Sequence, residues 1–140
     1  MDTTILAPAA VLVAWSLVML AWLAFSRFSA AAKLGGNEPP APGLRGQDID
    51  PMLGTAAWKS HNYTHLMEQP TIFYATIFIL HIAGAASPLM IKFAWAYVAL
   101  RIIHSVYQAT INKVMVRFSI FLLSTACLAA LAVNAVMATL

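Results

Sequence analysis

Charged side chains are scarce in this chain: five acidic and eight basic residues make up 9% of its 140 positions, while 61% are hydrophobic. Soluble domains carry about a quarter charged residues, so the composition excludes an ordinary water-soluble domain and points to a bilayer. Cysteine is nearly absent. The lone Cys127, in the apolar run LLSTACLAALAV, excludes an intrachain disulfide framework and a cysteine-based metal site, and reads as a small packing residue. No glycine-rich phosphate loop, zinc-ligand spacing or hydrolase elbow occurs. No period of roughly 20–50 residues repeats. The net charge of +3 is spread without a dense basic stripe, which argues against a nucleic-acid partner.

What the chain does have is apolar length. Residues 3–26, 69–91 and 118–140 contain no acid, lysine or arginine, and Arg101 and His104 are the only acid, lysine, arginine or histidine in residues 93–112. A bilayer crossing takes roughly 20 apolar residues. The opening MDTTILAP lacks the basic segment of a cleavable signal and leads into too long an apolar run, so it reads as a first transmembrane helix. These features predict an all-α membrane protein. It would be one four-transmembrane-helix domain over 1–140, with helices near 4–28, 55–84, 88–112 and 116–139 and a connection at 29–54.

Basic residues set the expected orientation. Arg27, Lys33, Arg45 and Lys59 flank the first connection and Lys113 and Arg117 the third, against Lys92 alone at the second, which places both termini on the non-cytoplasmic side. The stretch GGNEPPAPGLRGQDIDP, rich in glycine and proline, rules out a regular helix there and reads either as a solvated linker or as a lid over a cytoplasm-facing site. Pro70 should kink the second helix just after Glu68, and Pro88 suits the first turn of the third. Trp15, Trp22, Trp58 and Trp95 suit either membrane interfaces or packing.

Ionisable groups within spans are costly and mark pairing or function. His61, His65 and Glu68 share one face of the second helix at i, i+4 and i+7; Arg101, His104 and Gln108 share one face of the third at i, i+3 and i+7. Counted from the cytoplasmic ends, Glu68 and Arg101 lie at matched depths of roughly 16–18 Å at 1.5 Å per residue. The geometry therefore predicts a Glu68–Arg101 ion pair, with His65 or His104 beside it and Arg117 above. Such a group reads either as a structural pair that sets helix register or as a pocket for an anionic or zwitterionic ligand. His65 and His104 also raise haem ligation, with Glu68 and Arg101 on the same faces as competitors.

The segments NYTHLMEQPTIFYA and WAYVALRIIHSVYQATINKVMVRF, with four spans of these lengths, resemble the membrane-associated proteins in eicosanoid and glutathione metabolism (the MAPEG family), particularly small bacterial members. The resemblance implies a four-helix bundle in the bacterial inner membrane, assembled as a homotrimer, with glutathione bound between subunits near the cytoplasmic face. It implies that Glu68, Arg101 and His104 line the ligand site and that Arg117 is catalytic through thiolate stabilisation; His65 and Gln108, on the same helix faces, complete the expected ligand-binding set. No metal is implied. The chain departs from the glutathione-using prostaglandin synthase branch at four positions: Gln108 replaces a tyrosine, His65 an asparagine, His61 an arginine and Phe118 a serine.

Two functions follow from these expectations. One is a glutathione-dependent transferase or peroxidase acting on lipophilic electrophiles that arrive through the bilayer. The other is a non-catalytic membrane protein that binds a lipid or a partner membrane protein.

Overall fold

The computed structural model describes residues 3–33, 35 and 41–140. Residues 34 and 36–40 of the expected connection, like the first two of the chain, lie outside the described residues. The described residues form α1 (Leu6–Lys33), the short α2 (Gly46–Ile49), two 3₁₀ turns (Asp50–Met52 and Gly54–Ala56), α3 (Ala57–Leu66), α4 (Gln69–Ile82), α5 (Pro88–Thr110) and α6 (Val114–Thr139). Three of them, α1, α5 and α6, are long and apolar enough to cross a membrane.

Where the sequence predicts one kinked second helix, the structure holds two. Helix α3 ends at Leu66, Glu68 leaves helical geometry at φ −89° and ψ −94°, and α4 restarts at Gln69 with Pro70 in its first turn. The cause is local. Pro70 has no N–H for the Leu66 carbonyl, and its ring crowds the preceding turn. Thr71 stabilises the restart through its hydroxyl, which donates to the Glu68 carbonyl at 2.6 Å. At 1.5 Å per residue, the 14-residue α4 is about 21 Å long.

The other turns follow from capping chemistry. Gly84, at φ 66°, closes α4, and Ser87 caps α5 by accepting from the Met90 N–H at 3.3 Å, with Pro88 in the first turn. Between α5 and α6, Asn112 takes the left-handed conformation at φ 58°, one that asparagine tolerates better than most side chains. Its N–H donates to the Tyr107 carbonyl at 2.9 Å.

Leu12 and Met19 of α1, Phe73 and Ile77 of α4, Tyr97 of α5 and Leu131 of α6 meet in one buried cluster. Phe73 stacks on Tyr97 with ring centroids 4.4 Å apart. Helices α5 and α6 make the most extensive contact of any pair, while α1 lies against α3, α4 and α5. Outward-facing positions stay apolar, with Leu17, Phe25, Ile82, Leu122 and Met137 all exposed, as a lipid-facing surface requires.

The connection after α1 is tied down by Arg27. Its Nη2 donates to Asp50 Oδ1 at 2.6 Å and to Ser60 Oγ at 2.8 Å, linking α1, the connection and α3. Gly46 packs so tightly on this guanidinium that a Cβ there would collide with Arg27 Nη1. Because Asp50 is buried against a charged partner, Asp50→Asn should cost about 2 kcal/mol of stability. Arg45→Ala, at the exposed Arg45–Asp48 pair, should change it by less than about 0.5 kcal/mol. Thermal unfolding of the two variants in detergent checks this difference.

Candidate functional site

A cavity of about 240 Å³ opens between α3, α5 and α6, near the α5–α6 turn, lined by His65, His104, Gln108, Arg117, Phe118 and Phe121 together with Val114. Four of the six candidate site residues read from the sequence thus border one space. The i, i+4 spacing of His104 and Gln108 brings both to it from α5. Arg117 reaches it from the first turn of α6, where its Nη1 donates to Asn112 Oδ1 at 2.8 Å. The left-handed Asn112 therefore does two things: it turns the chain and anchors the guanidinium.

Arg101 stands behind this cavity, not in its wall. It is fully buried, and its Nη2 contacts His65 Nδ1 at 3.0 Å and donates to the His65 carbonyl at 3.1 Å. The break before Pro70 spares that carbonyl the regular bond to the Gln69 N–H and leaves it a long one, 3.4 Å, from the Glu68 N–H, so it can accept from Arg101 as well. The predicted Glu68–Arg101 ion pair does not form. Glu68 is exposed at the break, outside the cavity lining, and no Asp or Glu lies within ion-pair distance of Arg101 among the described residues. With the helix broken at Glu68, its carboxylate stays beyond ion-pair distance and Arg101 closes on His65.

The His65 and His104 rings stack at 5.0 Å with an interplanar angle of 26°, and Phe121 meets His65 edge-on at 5.3 Å. Stacked face to face, these imidazoles do not present opposed nitrogens to a haem iron. Among the described residues no group of three or more His, Cys, Asp or Glu is placed to hold a metal ion. His61 turns toward Asp50, with Nε2 3.8 Å from Oδ2. Tyr107 borders a separate apolar surface with Ile103 and Thr110, and the Ser119 hydroxyl donates to the Met115 carbonyl at 3.0 Å. Neither residue takes over the role left by the replaced tyrosine or serine.

A larger cavity, about 580 Å³, lies over the start of α3 against Gln47, Asp50, Trp58 and His61. Its carboxylate is already bound to Arg27, which leaves it less suited to recognise a charged ligand. The smaller cavity combines a permanent cation, two imidazoles and an amide with aromatic walls. It can hold an anionic group beside an apolar one.

Two polar residues that pack between helices, buried Asn62 and partly buried Gln69, escaped the sequence reading. Asn62 on α3 donates to Ser105 Oγ on α5 at 2.6 Å, and Gln69 links α6 to α5 by donating to Thr125 Oγ1 at 2.8 Å while accepting from the Tyr97 hydroxyl at 3.3 Å. Their signal was present: Asn62 and Gln69 are amides seven residues apart, and a polar side chain that packs between helices needs a partner.

No curated protein and no solved structure matches the chain. The family model described as the MAPEG family matches residues 5–137. With nearly the whole length covered, and with helices able to cross a bilayer more than once, the chain belongs to the MAPEG family of membrane proteins.

Proposed function

We propose that the protein is a glutathione-dependent transferase or peroxidase acting on lipophilic electrophiles within the membrane. The observation that carries this reading is the convergence of Arg117 with His65, His104 and Gln108 on one cavity with aromatic walls, in a chain of this family. A fixed cation lowers the pKa of a nearby thiol, and the thiolate is the nucleophile. In a conjugation, the glutathione thiol gives its proton to solvent, the sulfur forms a bond to the electrophilic carbon, and the leaving group departs with its electron pair. Phe118, half exposed, and Phe121 offer an apolar surface on which such a substrate can lie.

On this reading α3 and α4 together form the second of four transmembrane helices. Both termini lie on the non-cytoplasmic side of a bacterial inner membrane. The cavity, about 240 Å³, falls below the roughly 300–1,000 Å³ usual for sites that enclose a whole ligand. A homotrimer in which a neighbouring copy completes the site accommodates the tripeptide. Purified protein should conjugate glutathione to a lipophilic electrophile or reduce a lipid hydroperoxide with it. Absence of both activities, together with absence of glutathione binding by calorimetry, contradicts the reading.

A second reading draws on Glu68, an exposed carboxylate at the helix break with no ion-pair partner among the described residues. A non-catalytic protein would use it to hold a basic group of a partner membrane protein or a lipid. Stoichiometric copurification of such a partner, lost in Glu68→Gln, supports that alternative; robust turnover removes it.

A further inference from the structure

A guanidinium carries only N–H donors, so the 3.0 Å contact between Arg101 Nη2 and His65 Nδ1 makes Nδ1 the acceptor. An imidazole that accepts at Nδ1 is neutral and carries its proton on Nε2. The same Nη2 reaches the His65 carbonyl at 3.1 Å, so a single buried nitrogen clamps both the ring and the backbone of this residue. His104, stacked on the ring, and Phe121, edge-on to it, hold its orientation from two further sides. What His65 has left to offer the cavity is the Nε2–H.

We propose that Arg101 is a positioning residue that fixes His65 as the Nε2–H tautomer, so that His65 presents a neutral hydrogen-bond donor, beside the Arg117 cation, to an anionic group of the bound ligand. Gln108 supplies a complementary acceptor. It is buried, lines the same cavity, and its Oε1 has no protein partner. A buried acceptor without a partner is costly, and an N–H on the ligand satisfies it. The pair selects a ligand with an anionic group and an amide or ammonium N–H a short distance apart, which describes a peptide better than a simple fatty acid. The inference rests on the glutathione reading for the identity of the ligand and on the Arg101–His65 geometry for its mechanism.

Fixing the tautomer explains how histidine serves where the synthase branch carries asparagine. A free neutral imidazole divides its proton between two nitrogens, whereas an amide always keeps an N–H donor. The Arg101 clamp gives histidine the same certainty.

The test is nitrogen-15 NMR of the full-length protein in lipid nanodiscs with labelled histidine, His65 being assigned by its absence in His65→Asn. The expected spectrum has an unprotonated Nδ1 and a protonated Nε2, and added glutathione shifts Nε2 more than Nδ1. Arg101→Met should release His65 into a mixture of tautomers and weaken glutathione binding about tenfold, the worth of one hydrogen bond. Adding His65→Asn to Arg101→Met should recover most of that loss, since the amide needs no clamp; a merely structural role for Arg101 predicts no such rescue. A protonated Nδ1 in the unliganded protein, an Nε2 unmoved by bound glutathione, or a tautomer unchanged by Arg101→Met overturns the proposal. Should Arg101→Met fail to fold, the spectrum of the unsubstituted protein and its response to glutathione decide. If glutathione does not bind at all, the functional reading fails separately, and the tautomer alone stands for or against the role of Arg101.

Discussion

Arg117→Ala is expected to lower kcat for glutathione conjugation by about 10²–10³-fold, the range seen when one preorganised donor to a developing anion is removed. The magnitude follows from how the side chain is held. Its Nη1 donates to Asn112 Oδ1 at 2.8 Å, which holds the guanidinium at the cavity wall and spares a reorganisation cost at the moment of thiol ionisation. Arg117→Lys keeps the charge but replaces a planar fork with a flexible ammonium, and should recover only part of the loss. Single-turnover kinetics with a lipophilic aryl halide separate this chemical step from binding. An Arg117→Ala variant with unchanged kcat removes the arginine from the chemistry.

The second large effect is structural. Phe73→Ala should destabilise the protein by about 3 kcal/mol, at the lower end for a buried aromatic, because truncation leaves a cavity in a core held by packing. Phe73 is fully buried and stacks on Tyr97, which stands one helical turn before Arg101 on α5. Loosening that stack frees the register of the segment that carries Arg101, His104 and Gln108. Thermal unfolding should show a clear fall in Tm, and glutathione affinity should weaken with it although Phe73 touches no part of the cavity. Phe73→Leu, which keeps most of the volume, should restore the greater part of both.

Much of this arrangement was legible before any coordinates. Charge scarcity announced the bilayer, and the lengths of apolar runs placed α1, α5 and α6. The periodic spacing of His104 and Gln108 put them on one face of α5, and that face meets Arg117 in the cavity. The partner of Arg101 was not legible. Depth along a helix follows from residue counting, but direction around the axis does not survive a break, and Pro70 forces that break at Glu68 itself. The result is a buried guanidinium bound to His65 in place of a carboxylate. The Arg27–Asp50 contact escaped for a different reason: it joins a helix to an irregular segment across 23 residues, where no periodicity guides the eye. Asn62 and Ser105 are 43 residues apart on different helices, and only packing decides that they meet.

The departures from the synthase branch also read differently with the geometry in view. His61 turns toward Asp50, clear of the candidate cavity. His65 and Gln108 do line it, so substitution at these two positions changes the chemistry of the wall without closing it. A neutral donor and an amide acceptor now stand where the branch has an asparagine and a tyrosine.

Calorimetric titration of glutathione into the purified protein in lipid nanodiscs decides whether this cavity recognises glutathione through Arg117. Saturable binding by the unsubstituted protein is expected, with at least a tenfold loss of affinity in Arg117→Ala, about 1.4 kcal/mol or more. Equal affinity in the two proteins, or no binding by either, would contradict it.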